Sequence, residues 1–286
     1  MKGADMKHRT AITRATAAAL LLAASVAAAT MAPVAGQTQQ AAAPAFRMPR
    51  TADGKPNLTG IWQVMNTANW DIQAHAAQAG PVVALGAAFA VQPGPGVVDG
   101  NDIPYRPEAL AKKQENAANW MTLDPEVKCY MPGIPRATYM PFPFQIVQSP
   151  DNIIMAYEFN SASRIIRMNS KEESPAPAWM GWNIGHWEGE TLVVDVTDQM
   201  EETWFDRAGN FHSDELKVQE RFTARDANTL NYEVTITDPK TFTRPWKMSM
   251  LLYRHLEKNA QLMEYKCVPF VEELMYGHLR KQPTAR

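Results

Sequence analysis

The chain is poor in the residues that announce chemistry outright. It has two cysteines, and beyond the first fifty residues its histidines are scattered at 75, 186, 212, 255 and 278. No His-x-His, His-Glu-x-x-His or Cys-x-x-Cys spacing occurs, so the sequence predicts no metal site. A Gly-x-Ser-x-Gly elbow is missing, which removes the usual hydrolase nucleophile. Gly-rich phosphate cradles and dinucleotide fingerprints are missing too, and Pro93-Gly94-Pro95-Gly96 is loop material, so no cofactor is expected. Basic blocks are absent and the formal net charge is −2, which argues against nucleic acid as a partner.

What is present begins with a leader. Lys7-His8-Arg9 and Arg14 precede an apolar Ala/Leu/Val run at 17–29, and small residues follow, with Val34 and Gly36 as a −3/−1 pair and Ala27-Ala28-Ala29 as another. This pattern predicts a secretory signal peptide over 1–36. The run is shorter than the roughly 20 residues a membrane span needs, so no span is expected after its removal. An Ala/Gln-rich leader at 37–52 comes next. The expected location is the periplasm or the medium. There a single cysteine pair, Cys129 and Cys267, reads as a structural disulfide. The chain-entropy argument gives so long a loop about 4–5 kcal/mol as an upper figure; the competing reading is a reactive free thiol.

The most informative stretch is 213–238. Leu216, Val218 and Phe222 alternate with Lys217, Gln219 and Arg221, and Leu230, Tyr232, Val234 and Ile236 alternate with Asn231, Glu233, Thr235 and Thr237. A polar turn, Arg225-Asp226-Ala227-Asn228, separates the two runs, so they form an antiparallel hairpin with one buried face. Further strands are expected at 144–148, 153–159, 163–168, 183–187, 191–197, 246–255 and 261–267, about nine with the hairpin. A strand also begins at Gly60-Ile61-Trp62. Helices are expected at 67–78 and 107–121, the second with Pro107 and Glu108 in its first turn. Four prolines at 132, 135, 141 and 143 predict an extended strap over 128–143. Sequential hairpins favour a mainly β, antiparallel up-and-down barrel over a β-sandwich. Residues 53–143 would then be an N-terminal arm of strand, helices and strap, and 144–286 the barrel with its C-terminal tail.

Glu220 falls on the apolar face of its strand, where a lone carboxylate is out of place and burial would raise its pKa. Its partner must come from another strand, with Arg164 and Arg244 as the choices, and an ion pair fixing register would serve as well as chemistry. Upstream, 204–213 carries Asp206, Arg207, His212 and Ser213 around the turn Ala208-Gly209-Asn210. Asp206 orienting His212, with Glu220 as a second titrating group, would make an acid/base site. The same residue types also suit a capped turn. Tyr157, Arg164, Tyr232, Trp246 and Met248 lie on inward parities as ligand contacts, and the Gly/Pro-rich loop at 80–100 is the expected cover of a pocket.

Five segments carry a resemblance: D-G-K-P-N-L-T-G-I-W (53–62), K-C-Y-M-P-G-I-P-R (128–136), P-F-Q-I-V-Q-S-P-D (143–151), G-H-W-E-G-E-T-L-V-V-D-V (185–196) and D-R-A-G-N-F-H-S-D-E-L-K-V-Q-E-R-F (206–222). Together they resemble a widespread family of secreted bacterial proteins of unassigned function, which implies export and a β-rich fold but no catalytic residues. Gly60-Ile61-Trp62 is also similar to the Gly-x-Trp of lipocalin-type barrels. The sequence thus leads to two expectations. One is an exported protein that binds a small, largely apolar molecule and performs cofactor-independent proton transfer on it (isomerisation, elimination or cyclisation). The other is a non-catalytic carrier of a hydrophobic ligand.

Overall fold

A computed structural model describes residues 46–280. The predicted signal peptide and most of the 37–52 leader lie outside the described residues. Nine strands close into a barrel in chain order: β1 (Gly60–Val64), β2 (Phe144–Gln148), β3 (Asn152–Tyr157), β4 (Ser163–Met168), β5 (Trp182–Glu188), β6 (Thr191–Thr197), β7 (Lys217–Asp226), β8 (Thr229–Thr237) and β9 (Trp246–Arg254). The barrel expectation holds, with one correction. β4 and β5 run parallel, Ile166 opposite Asn183, while the other neighbours are antiparallel. Parity requires this. Nine strands in a closed ring cannot alternate direction all the way round, so at least one pair must be parallel.

Membership of the barrel also differs from expectation. Residues 261–267 form no strand; the ninth place belongs to β1, which pairs with both β2 and β9 and closes the seam. The barrel therefore does not begin at 144, because its first strand comes from the arm. Gly60 is needed at this seam. The Arg254 guanidinium lies 4.2 Å over the Trp62 ring and donates to Thr59 O at 2.7 Å, and a Cβ at position 60 would overlap it.

The central hairpin forms as its alternation predicts, with Phe222 opposite Tyr232 and their rings 4.8 Å apart inside the barrel. One core runs from the barrel interior into the arm. Ile72, Ile134, Ala137 and Tyr139 of the arm join Phe144, Met155 and Phe222 of the barrel, so the arm plugs one end. Helix α1 (Pro107–Ala118) starts at the predicted proline, and a short α2 (Trp120–Leu123) follows it. The helix expected at 67–78 is absent. Instead His75 and Gln78 make bridges to Gly94 and Val91, so backbone pairing with the 80–100 loop replaces helical bonds. The proline strap is not extended throughout, since Arg136–Tyr139 forms a helical turn, α3.

Beyond β9 the chain crosses the arm without strand pairing, and the last described element is helix α4 (Val271–Arg280). Cys129 and Cys267 are bonded, tying this segment to the strap. Among the described residues no helix is long and apolar enough to cross a membrane.

Candidate functional site

Glu220 points into the barrel and is fully buried. Of its two expected partners, Arg164 meets it. Nη1 donates to Oε2 at 2.5 Å and Nη2 to Oε1 at 3.0 Å, while the Tyr232 hydroxyl donates to Oε1 at 2.6 Å. Arg164 Nη1 also donates to Asn183 Oδ1 at 2.9 Å, which ties β4, β5, β7 and β8 together across the interior. Arg244 pairs instead with Asp102 on the surface. Burial, then the neighbouring carboxylate of Glu220, pushes the Tyr232 phenol well above its ordinary range, so it stays a fixed donor. Burial raises Tyr157 as well, and its hydroxyl donates to the Met155 sulfur at 3.8 Å. Trp246 stands edge-on to Phe205 at 5.6 Å, and Met248 is fully buried. The predicted ligand contacts Tyr157, Arg164, Tyr232, Trp246 and Met248 thus sit in packed core.

The expected Asp206–His212 pair does not form. Asp206 accepts from Ile72 N at 2.9 Å, Asn210 N at 3.1 Å and Asn210 Nδ2 at 2.6 Å. Its carboxyl closes the 208–210 turn over that turn's own donors, as a capped turn does. His212 faces elsewhere. Its Nδ1–H donates to Ser213 O at 2.8 Å, and Nε2 accepts from the Thr203 hydroxyl at 2.7 Å. Burial holds its pKa down at about 4, so the ring is neutral and structural in its bonding. Asp206, His212 and Glu220 share no hydrogen bond, and each is engaged by a different set of neighbours.

A second buried charge cluster was not read from the sequence. Arg136 donates twice to Asp124, at 2.7 and 2.9 Å, and once to Glu126 at 2.7 Å, with Nε on Asn69 Oδ1 at 2.9 Å. Arg207 grips Glu126 through Nε and Nη2, both at 2.9 Å, and reaches Glu272 of α4 at 3.2 Å. Burial alone would raise Glu126, but Arg207 and then Arg136 outweigh it and hold it at about 2. Asp-x-Glu at 124–126 with Arg136 ten residues on was the available signal, although nothing local says that they meet.

Beside this cluster lies a cleft of about 370 Å³. Its floor is Arg207 between two indoles, the guanidinium 4.6 Å from both the Trp70 and Trp120 rings, which stand edge to face at 5.6 Å. Pro81 and Val91 of the 80–100 loop wall it above, and Asp71, His75 and Lys113 stand at its rim. Asp71 also lines a smaller adjoining cleft of about 200 Å³ with Pro95, Gly96 and Met250. Behind the rim is the buried carboxyl of Asp206, to which no cation is bonded. Burial, then the charge of Asp71, pushes Asp206 up to about 7, against three N–H donors that favour its anion. Asp71 is itself raised by burial.

Among the described residues no group of three or more His, Cys, Asp or Glu side chains is placed to hold a metal ion. Comparison with protein-family models and with curated proteins finds no match for the chain. The fold and the cleft therefore define the protein only as a closed nine-stranded barrel with an arm that plugs one end and carries a cleft.

Proposed function

We propose that the protein is exported and binds a small, largely apolar molecule in the cleft beneath the 80–100 loop. The observation that carries this reading is the cleft's mixed lining: the Trp70 and Trp120 indoles, Pro81 and Val91 offer apolar contact, and Asp71, His75, Lys113 and Arg207 are the polar groups that would fix orientation. Its volume of about 370 Å³ falls in the range of small-molecule sites. The sealed ion pair of Glu220 and Arg164 has no part in this reading, and neither does His212. Export rests on the leader at 1–36 and agrees with a protein that carries a disulfide.

The test is extraction of the exported protein followed by mass spectrometry. The expected result is a bound apolar compound in the native protein and none in Ala118→Trp, where an indole at the end of α1 fills the cleft. Equal recovery from both proteins removes the cleft from the account. In the same sample, a mature N-terminus near residue 30 or 37 checks export.

One observation favours a second reading, cofactor-independent proton transfer on the bound molecule. Asp71 stands in the cleft wall next to a buried carboxyl that titrates at about 7, and such coupled carboxylates suit acid/base work near neutral pH. The co-purified compound incubated in D2O would take up deuterium with the native protein and not with Asp71→Asn. No uptake with either leaves binding alone.

A further inference from the structure

Strand directions bring Gly60, Gln148, Met168 and Trp187 to the barrel end away from the arm. There the first turn, the β2–β3 turn and the end of β5 enclose another cleft, of about 330 Å³. Segments 53–62, 143–151 and 185–196, singled out in the sequence and unused by the function proposed above, converge on it.

Met168 and Trp187 form its floor and pack on the core from outside. Its walls are fixed by the protein's own bonds. Thr51 N donates to Lys55 O at 2.9 Å, Asn57 N to Pro49 O at 2.8 Å and Ser149 N to Asn152 O at 2.8 Å. An Arg50–Glu190 ion pair of 2.5 Å braces the outer side. Gln148 links two walls, donating to Pro56 O at 3.0 Å and accepting from Leu58 N. A ligand would order little chain on entering, so the site is preorganised.

Several polar groups around this floor have no partner among the described residues: Lys55 Nζ, Asn57 Nδ2, the Asn169 side-chain amide and Trp187 Nε1–H. The charges at the rim, Asp53 and Lys55, cancel. An anion finds no excess of positive charge here, and a fully apolar ligand would leave the amides and the ammonium unmet. The fitting chemistry is a neutral ring with one face of C–H groups and an edge of hydroxyls that both donate and accept. We propose that this cleft binds a pyranose-type saccharide of one or two units, its C–H face on Trp187 and its hydroxyls on Asn57, Asn169 and Lys55.

This site shares no residue with the cleft under the 80–100 loop and stands or falls without it. The test is saturation-transfer difference NMR on the mature chain with glucose, galactose, N-acetylglucosamine and the β-1,4 disaccharides of glucose and N-acetylglucosamine. The expected result is transfer to at least one of them with a Kd of about 1 mM or tighter. Two variants should each weaken binding about tenfold or more. Trp187→Ala removes the platform, and Thr59→Trp, at an exposed position, fills the cleft without touching the core. Lys55→Ala should weaken binding less, about two- to fivefold. No transfer to any of the five sugars overturns the proposal, as does affinity unchanged in Thr59→Trp.

Discussion

Two buried carboxyls sit in opposite company. Glu220, inside the barrel, has a guanidinium and a phenol bonded to it, and Asp206, under the arm, has N–H donors and the nearby charge of Asp71, with no cation bonded to it. The first environment cancels the charge and joins strands, which is how a barrel fixes its register. The second gives the carboxyl no bonded cation, and burial with the charge of Asp71 pushes its pKa up to about 7, next to a cleft. Burial of an acid therefore says little about function until the sign of its neighbours is known.

The largest effect separates the two directly. Glu220→Ala strands the Arg164 charge in the dry interior and should cost about 3–5 kcal/mol of stability in chemical denaturation. Glu220→Leu combined with Arg164→Met should cost clearly less than either single change, because no charge is left alone. An additive double variant would mean that the pair does not act as a unit.

The next comparison sets the barrel against the segment after β9. Among its described residues that segment buries only Gly277 and has no strand partners. It is held by the disulfide, Phe270 N on Val127 O at 2.7 Å, the Tyr265 ring against Phe142 at 4.6 Å, and Glu272 on Arg207. Cys129→Ser with Cys267→Ser should lower stability by about 2–4 kcal/mol. Amide exchange should quicken over 255–280 while β6–β9 keep their protection. Because Glu272 reaches Arg207 and the Tyr276 ring meets Phe89 at 5.5 Å, the cleft under the 80–100 loop should loosen as well.

The smallest effects concern pH. The folded pKa of Asp206, about 7, lies above its ordinary 3.8, so its contribution is full below about pH 4 and is lost as pH rises through 7. His212 is opposite. Its folded pKa of about 4 lies below its ordinary 6.5, so its contribution is present above 6.5 and is lost as pH falls through 4. The two oppose each other between about pH 4 and 7, so the pH dependence of either should emerge when the other is replaced. Asp71→Asn removes the charge that adds to burial in raising Asp206 and should add about 1 kcal/mol near pH 8 with little change at pH 4. A pH-independent gain would point to packing instead.

Much of the barrel was legible because period-two alternation survives in the chain. Alternation alone bounds the strands at 163–168 and 191–197, and the inward parity of Glu220 calls for an arginine from another strand, Arg164 or Arg244, of which it meets Arg164. Two misreadings have physical causes. Residues 261–267 carry strand-like residues, but the seam they would have filled is taken by β1, far away in sequence. Asp206 and His212 are close in sequence, yet the carboxyl is claimed by Ile72, 134 residues upstream, and local spacing cannot announce that. The Arg207–Trp70–Trp120 floor joins three separate segments in the same way.

Where a ligand sits is the claim on which the rest turns, and one titration tests it. The neutral fluorescent probe N-phenyl-1-naphthylamine should bind the mature protein, lose about tenfold or more in affinity in Ala118→Trp, and keep its affinity within about twofold in Tyr157→Phe, whose hydroxyl lies inside the barrel. Affinity lost in Tyr157→Phe and retained in Ala118→Trp would place the ligand in the barrel and contradict the account.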